Sequence, residues 1–526
     1  MKNFSRRDFI KLSALAFLAP SFFCRNVNAA GSDCQVKTRY GIFDGFVDKN
    51  GVKTWLGIPY AKPPVGNLRW HAPEKLEPSN KIFSAKKFGA SPLQEIDPVE
   101  PASEYKQSED CLTLNIWRHS DKKNLPVMVF IPGGGFVGGG TVDDSYSGAK
   151  LASAGDVIVV TLNYRLNIFG FMNFAGVDPT FEDAGYLGIK DQLAALEWVH
   201  ENIENFGGNP DNVTVFGESA GSVSTMLLTI LPATKNLFHK AIAQSGSPAF
   251  YHEPQPSAKF AAEFMEFGNY KDMAQMMKTS PKKLLKTYEE FAEKKGFTAN
   301  IDYFPTCDGK FLPEHPFQAL KEGAARGKKL LTGNTQDEYL YWSFYYDGFV
   351  EILPEAHGRL TPVMYEGEFT TREELYDSWQ KNHMDIDEPK RYLEFANQLD
   401  WRVGQELCAE YQSAYDDVYL YLFSQKSQDE ELGSCHAIDL PFVFDHAEKD
   451  IEPNPPRNLI KQVQATWIAF ATSGNPNNPE IPQWKRYTVD HRETMNINSS
   501  AWSCIKDLNT ENVTALRHVY EENLLD

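Results

Sequence analysis

The chain has 526 residues, 42% hydrophobic and 13% aromatic, so it can bury a large core and is not extensively disordered. Its formal net charge of −19, without any run rich in Lys or Arg, argues against a nucleic-acid-binding surface. The cysteines are few and scattered and include no CxxC pair, so neither a disulfide scaffold nor a zinc site is expected. We expect no cofactor and no metal.

The first 30 residues have the pattern of an export signal. Arg6 and Arg7 precede an apolar run over 12–23, and small residues follow at 29 and 30. The run contains Pro20 and is too short to span a membrane, so we expect a cleaved signal rather than a stable anchor. Paired arginines are typical of twin-arginine export in bacteria, which predicts a periplasmic or secreted protein.

Apolar runs then alternate with helical patterns. A β-hairpin is predicted from Thr38–Val47 and Val52–Gly57, which flank a polar turn. The clearest helix carries an apolar stripe from Ile189 to Ile203 and stops at Gly207-Gly208. Short continuous apolar runs suit a parallel sheet that is covered on both faces. The runs that predict such strands are Val127–Ile131, Val157–Leu162, Val213–Phe216, Ala241–Ala243, Leu330–Thr332 and Val418–Phe423.

This alternation predicts an α/β fold. We expect a doubly wound, mostly parallel central sheet with helices on both faces and an antiparallel edge at its N-terminal side. The regions near 255–325 and 345–410 look helical and irregular, and we interpret them as insertions over the sheet. The prediction is therefore a single domain over 31–526 that follows the export signal.

The central chemical motif is G-x-S-x-G, in which Gly217 and Gly221 flank Ser219. The predicted strand Val213–Phe216 precedes it, and a run compatible with a helix follows at Ser224–Leu231. A nucleophilic serine needs a tight, strained turn that lifts its hydroxyl clear of the sheet, and glycines give the neighbouring backbone room. Because the pentapeptide alone is a weak signal, the strand and helix around it carry the prediction.

A second glycine cluster, Gly133-Gly134-Gly135, follows the predicted strand Val127–Ile131 after Pro132. Its backbone N–H groups, together with that of Ala220, can point at a tetrahedral oxyanion. The same stretch continues to Gly138 and so also spells the dinucleotide-binding pattern G-x-G-x-x-G. No helix is predicted to open there, which disfavours nucleotide binding.

A nucleophilic serine needs a base, and the base needs an orienting acid, in the chain order serine, acid, histidine. His436 follows the last predicted strand in a loop that contains glycine. Asp337 and Glu338 both follow the preceding strand, and on chemistry alone either can be the acid. Cys435 stands beside the base, but adjacent side chains diverge, so we interpret it as structural.

These motifs closely resemble the type-B carboxylesterase and cholinesterase family of α/β hydrolases, and within it the bacterial para-nitrobenzyl-esterase type. Further shared segments are Gly57-Ile58-Pro59-Tyr60-Ala61, Leu68-Arg69-Trp70, Ser108-Glu109-Asp110-Cys111-Leu112, Asn163-Tyr164-Arg165 and Asn205-Phe206-Gly207-Gly208-Asn209-Pro210. The resemblance implies the α/β-hydrolase fold and carboxylic ester hydrolysis. The site residues that it implies are the nucleophile Ser219, the acid Glu338, the base His436 and the oxyanion donors Gly134, Gly135 and Ala220.

Three departures from the family pattern matter. Pro132 stands before the glycines, where bacterial relatives often have His, but this leaves the glycine donors intact. The family's disulfide partner for Cys111 should lie near Ser91, and no cysteine is there. No tryptophan lies between Ser91 and Asp110 to hold a quaternary ammonium, so choline esters are not expected as preferred substrates.

The expected partner is a small ester, uncharged and either aryl or short-chain alkyl, cleaved through an acyl-enzyme. Two alternatives stay open: a carbamate or amide hydrolase with the same triad, and a non-catalytic binding protein of the same fold. The oligomeric state is not predicted. An aromatic group after the acid either lines the substrate pocket or forms a core beneath an insertion. Its members are Tyr339, Tyr341, Trp342, Phe344, Tyr345 and Tyr346.

Overall fold

An 11-stranded sheet runs through the computed structural model of the chain. The structure describes residues 34–97, 100–142, 144–295, 303–346, 348–351, 353 and 372–521. The export signal predicted over 1–30 lies outside these residues. The strands are β1 (Gln35–Thr38), β2 (Gly41–Asp44), β3 (Phe46–Val47), β4 (Lys53–Pro59), β5 (Ile82–Ser84), β6 (Thr113–Arg118), β7 (Leu125–Ile131), β8 (Ile158–Leu162), β9 (Gly208–Glu218), β10 (Lys240–Gln244), β11 (Lys329–Thr335), β12 (Val418–Phe423), β13 (Thr494–Ile497) and β14 (Ser503–Ile505).

The order across the large sheet is β14-β13-β12-β11-β10-β9-β7-β8-β6-β4-β3. All strands from β13 to β8 in this order are parallel. By contrast, β6, β4 and β3 pair antiparallel at one edge, and β14 pairs antiparallel at the other. The predicted mostly parallel sheet with an antiparallel N-terminal edge is therefore confirmed. The antiparallel strand at the opposite edge was not predicted.

The apolar runs are continuous because the sheet buries both faces. On β7, Val127, Val129 and Ile131 pack into one hydrophobic core. Met128 and Phe130 alternate with them and pack into a second core. Helices cover both faces, so every side chain of such a strand is removed from water.

The α-helices are α1 (Ala149–Ala154), α2 (Asn167–Gly170), α3 (Leu187–Asn202), α4 (Ala220–Ile230), α5 (Pro254–Phe267), α6 (Met273–Lys278), α7 (Pro281–Lys295), α8 (Pro316–Lys321), α9 (Leu340–Tyr345), α10 (Arg372–Trp379), α11 (Lys390–Ala396), α12 (Val403–Ser413), α13 (Leu440–Phe444), α14 (Arg457–Ser473), α15 (Thr510–Leu516) and α16 (His518–Glu521). The stripe predicted from Ile189 forms α3. α3 is followed by a 3-10 turn, Ile203–Phe206, which ends at Gly207, whose φ of 90° favours glycine.

The predicted N-terminal hairpin is confirmed only in part. β3 and β4 pair antiparallel as expected, with Phe46 opposite Thr54. The prediction of one continuous strand over Thr38–Val47 is wrong. The chain there is divided between β3, in the large sheet, and β1 and β2, which form a separate three-stranded sheet with β5. The division falls at Gly45, where the backbone passes so close to β4 that a Cβ would lie 2.4 Å from the carbonyl oxygen of Thr54.

The two regions interpreted as insertions contain helices α5–α8 and α10–α12. Between α11 and α12, the segment Asn397–Arg402 is a π-helix. Parts of both regions, 296–302 and 354–371, lie outside the described residues, and their interpretation as insertions stays a prediction. Among the helices that the structure describes, none has the length and apolarity needed to cross a membrane.

Candidate active site

Ser219 occupies the turn between β9 and α4, at the carboxyl edge of the sheet. Its backbone has φ 57° and ψ −125°, a conformation that strains any residue with a Cβ. Its N–H donates to the carbonyl of Gln244, the last residue of β10, at 2.9 Å. Gly221 lets the turn close, because a Cβ there would lie 2.0 Å from the carbonyl oxygen of Ile131. The strand, turn and helix expected around the serine are present.

The glycine loop after β7 lies against this turn. A Cβ on Gly133 would lie 3.1 Å from the Cβ of Ser219. Gly134 and Gly135 have φ of 104° and 58°, which favours glycine. No helix opens in the described residues between this loop and Ala149, so the context of a dinucleotide site is lacking there.

Glu338 follows β11 and is fully buried. Its Oε1 accepts hydrogen bonds from the hydroxyl of Ser245 at 2.6 Å and from the backbone N–H of Thr335 at 2.8 Å. Its Oε2 lies 2.5 Å from Nδ1 of His436. Both carboxyl oxygens are thus fixed, and one of them orients the imidazole.

Asp337 was the alternative acid. Its Oδ2 accepts a hydrogen bond from the backbone N–H of Ser434 at 2.9 Å, so it supports the loop that leads to the histidine. Of the two candidates, Glu338 is the residue that contacts the imidazole.

His436 lies in the loop after β12 and is 5% exposed. Its Nε2 is 3.1 Å from Oε1 of Glu218, the residue that precedes Ser219. Although burial lowers the pKa of His436, the carboxylates of Glu218 and Glu338 outweigh it and raise this pKa to about 9. Burial raises the pKa of Glu218 to about 8. This contact is an ion pair without hydrogen-bond geometry, and because the charge of each group shifts the pKa of the other, the two titrate as a pair.

Two tryptophans pack against the imidazole of His436. The ring centroids of Trp342, in α9, and of Trp401, in the π-helix, lie 4.8 and 4.7 Å from that of His436. Tyr341 meets the imidazole edge-on at 6.1 Å. These aromatic rings therefore surround part of the imidazole and limit its contact with water.

Some members of the predicted aromatic group lie as expected for a pocket lining and others as expected for a core beneath an insertion. Trp342 and Tyr341 face the histidine, as a pocket lining would. Tyr339 is buried, and its hydroxyl donates to Asp400 at 2.8 Å, as in a core. Sequence spacing cannot separate these cases, because all of these residues lie within one short helical segment.

Three residues of the site were not identified from the sequence: Glu218, Ser245 and Trp401. Ser245 directly follows β10, and a polar residue at the carboxyl end of a parallel strand is a signal that could have indicated it. Trp401 had no such signal, since its position depends on how the chain folds back over the sheet.

Among the described cysteines, none contributes a side chain to this arrangement. Cys435 is buried, and burial raises the pKa of its thiol, which disfavours the thiolate that a nucleophile needs. Cys111 is also a buried free thiol.

Comparison with known proteins gives a consistent result. A sequence model described as the Carboxylesterase family matches residues 32–516. The para-nitrobenzyl esterase of Bacillus subtilis (strain 168) is 37% identical over 478 residues, which cover 88% of this chain and 94% of that protein.

Solved structures agree with this comparison. A thermophilic PNB esterase superposes with a TM-score of 0.81 at 34% identity, covering 92% of this chain and 100% of that one. A carboxylesterase of Geobacillus stearothermophilus superposes with a TM-score of 0.80 at 32% identity, with the same coverage of 92% and 100%.

Proposed function

The chain belongs to the carboxylesterase family and is a carboxylic ester hydrolase, and we propose that Ser219 is its nucleophile, His436 its base and Glu338 its orienting acid. The predicted family and the α/β-hydrolase fold are thereby confirmed. The observation that carries the proposed roles is the 2.5 Å contact between Glu338 and Nδ1 of His436, whose Nε2 reaches the residue before Ser219.

In the first step, the hydroxyl of Ser219 attacks the ester carbonyl while Nε2 of His436 takes its proton. Glu338 fixes the tautomer and stabilises the imidazolium. The negative charge that develops on the carbonyl oxygen is held by the N–H groups of Gly134, Gly135 and Ala220. Positive φ at the two glycines and the helix N-terminus at Ala220 support this assignment.

The acyl-enzyme forms when the alcohol departs, and it is hydrolysed in the second step. The imidazolium of His436 gives its proton to the departing alkoxide, which leaves as the alcohol. A water molecule then attacks the acyl carbonyl, and His436 takes the proton of that water. The imidazolium then gives this proton to the oxygen of Ser219, which recovers its hydroxyl as the carboxylic acid departs, and His436 is neutral again. Besides the ester and the water, each of these steps uses side chains and backbone groups of this chain.

We assign the substrate to uncharged esters with an aryl or short-chain alkyl group. The indole rings of Trp342 and Trp401 beside the base support an apolar substrate, and the buried carboxyls Glu218 and Glu338 disfavour an anionic one. A relative is named para-nitrobenzyl esterase, which is consistent with an aryl group.

The nucleophile is tested with Ser219→Ala and the matched Ser224→Ala, which makes the same change at a buried serine in α4. We expect kcat for a para-nitrophenyl ester to fall by roughly 10⁴- to 10⁶-fold in Ser219→Ala. The control should stay within about threefold of wild type, because loss of one buried hydrogen bond acts mainly on stability. Ester turnover by Ser219→Ala at a rate near that of wild type would refute the proposed triad.

The bond specificity is tested with a panel of para-nitrophenyl esters of graded acyl length, beside carbamates and amides of the same aryl group. We expect the highest kcat/KM for short acyl esters. A higher kcat/KM for carbamates or amides would move the assignment to the alternative hydrolase with the same triad.

We also propose that the chain is exported by the twin-arginine route and acts in the periplasm or outside the cell. Arg6 and Arg7, followed by the short apolar run over 12–23, support this. Replacement of both arginines by lysine should retain the uncleaved chain inside the cell. Unchanged export of that variant would contradict the proposal.

A further inference from the structure

Asp439 is a buried carboxyl that the steps above do not use. It is fully buried at the start of α13, in the loop that carries His436. Its Oδ2 accepts hydrogen bonds from the side chain of Gln244 at 2.8 Å and from the hydroxyl of Tyr421 at 3.2 Å. Its Oδ1 has no hydrogen-bond partner among the described residues. A buried carboxyl oxygen without a hydrogen bond lowers the stability of the fold, so its presence points to a function.

Gln244 connects this carboxyl to the turn of the proposed nucleophile. Its backbone carbonyl accepts the N–H of Ser219 at 2.9 Å. Its side-chain N–H donates to Asp439, and its side-chain oxygen accepts from the indole N–H of Trp467 at 3.1 Å. Because the amide is bonded at both ends, it cannot rotate without losing a hydrogen bond. The chain around Asp439 is thereby fixed relative to Ser219.

Several ionisable side chains face or flank His436 and Asp439. They are the carboxyls of Glu218 and Glu338, the phenols of Tyr341 and Tyr421, and the thiol of Cys435. Burial raises the pKa of both phenols and of the thiol, so these groups stay neutral near pH 7. The negative charge around the imidazole therefore comes from carboxyl groups, and burial raises the pKa of one of them, Glu218, to about 8, which disfavours its charged form near pH 7.

We propose that Asp439 is a positioning residue for ester hydrolysis, which fixes the loop of His436 through Gln244 and whose negative charge stabilises the imidazolium formed during the reaction. This rests on the triad proposed above. The carboxylate lies in a buried environment, where a charge acts over a longer distance than in water. Burial raises the pKa of Asp439 to about 6, opposed by the hydrogen bonds from Gln244 and Tyr421, so it is ionised at pH 7 and above.

The test is Asp439→Asn, which keeps the size and an oxygen for the bond from Gln244 but removes the charge. We expect kcat to fall about tenfold, with KM changed by less than about twofold, because the loss concerns the transition state. Removing a negative charge lowers the pKa of His436. The acidic limb of the kcat/KM profile should therefore move about one pH unit lower.

Two further variants sharpen this test. Asp439→Glu restores a carboxylate and should return the acidic limb toward the wild-type position. Asp121→Asn makes the same substitution at an exposed side chain and should leave the profile unchanged. If Asp439→Asn lowers stability and kcat but leaves the acidic limb at the wild-type pH, Asp439 is merely structural and the proposal is overturned. A wild-type kcat and profile would overturn it as well.

If Asp439→Asn does not fold, Gln244→Met carries the test, since it removes the link but keeps the carboxylate. We then expect kcat to fall about fivefold, in line with the loss of a hydrogen bond to a charged group. An unchanged kcat would overturn the proposal.

Ser219→Ala, measured alongside, separates the two possible failures. If Ser219→Ala is inactive while the Asp439 variants match wild type, the nucleophile stands and only the role of Asp439 is wrong. If Ser219→Ala remains active, the triad itself is wrong, and the proposal for Asp439 is overturned with it.

Discussion

The central sheet buries charged side chains at its carboxyl edge, where the parallel strands end, and at its amino edge, where they begin. The chemistry of these two sets of side chains differs. At the carboxyl edge, the carboxyls of Glu218 and Glu338 contact one imidazole, and the carboxyl of Asp439 is buried in the loop that carries it. At the amino edge, Lys328 is 4% exposed and donates hydrogen bonds to the carbonyl of Thr229 at 3.0 Å and to the hydroxyl of Thr234 at 2.7 Å.

The difference teaches how to separate a functional buried charge from a structural one. Lys328 closes the C-terminal end of α4, where the helix dipole favours a cation, and it faces no reacting group. The carboxyls at the opposite edge crowd around a group that must gain and lose a proton. Changes at the carboxyl edge should therefore alter rates and pH profiles, whereas changes at the amino edge should alter stability alone.

The largest effect is expected for Glu338→Gln, compared with Asp337→Asn beside it. A glutamine at 338 can hold the imidazole in the wrong tautomer, so kcat should fall by roughly 10³- to 10⁴-fold. Asp337→Asn should cost less than about tenfold, because this residue bonds a backbone N–H. The steady-state kcat of both variants tests whether Glu338 is the orienting acid. Equal losses of kcat in the two variants would mean that the acid has been misassigned.

Gly134→Ala should have the next largest effect. An added Cβ would lie 2.3 Å from the carbonyl oxygen of Gly138, so the loop must shift and the oxyanion donors move. We expect kcat to fall by about 10²- to 10³-fold, with KM little changed. Gly327→Ala is the matched control, since Gly327 also has positive φ, 88°, but nothing lies within 4 Å of its Cβ position. A wild-type kcat in Gly134→Ala would exclude this loop from oxyanion binding.

Glu218→Gln should change the pH profile rather than abolish activity. The wild-type kcat/KM is expected to rise with pH until His436, whose pKa is raised to about 9, has lost its proton. Removing the carboxylate of Glu218 lowers that pKa, so the acidic limb should move about one unit lower. Glu290→Gln, on the exposed face of α7, is the control. An acidic limb that stays in place would show that the charge of Glu218 does not control the protonation of His436.

Lys328→Met should have the smallest effect, and on stability alone. Burial lowers the pKa of Lys328 to about 7, so protonation of the folded state costs stability below that pH. This cost is full below pH 7 and disappears as the pH rises toward the unfolded value of 10.5. The variant should therefore be more stable than wild type by about 1–2 kcal/mol at pH 6, and by less at pH 10.

Thermal unfolding of Lys328→Met at both pH values, with kcat measured in parallel, tests this prediction. A variant that loses activity would remove the contrast between the two edges, whereas one that is less stable at pH 6 would show that the hydrogen bonds of Lys328 outweigh the cost of burying its charge.

The sequence was sufficient where local chemistry dictates the structure. The turn at Ser219 needs glycine on both sides, and the strands that lead into the site need continuous apolar runs, so both could be predicted. The hairpin was predicted only in part, because the division at Gly45 depends on how closely the backbone passes β4, a contact that composition does not reveal.

The rest of the site depends on contacts between residues that are distant in the chain. Asp337 and Glu338 are chemically equivalent, and only the direction of the chain after β11 brings Glu338 to the histidine. Trp401 reaches His436 from a π-helix, which has no reliable pattern in a single sequence. Ser245 and Asp439 are common polar residues until folding buries Ser245 against the carboxyl of Glu338 and Asp439 against the side chain of Gln244.

Labelling with a fluorophosphonate probe, followed by mass mapping of the modified peptide, tests the central claim most directly. We predict one adduct per chain, on Ser219, which is lost in Ser219→Ala and retained in Ser224→Ala. An adduct on any other residue, or a folded protein that is not labelled, would contradict the proposed nucleophile, and the second result would favour a non-catalytic binding protein.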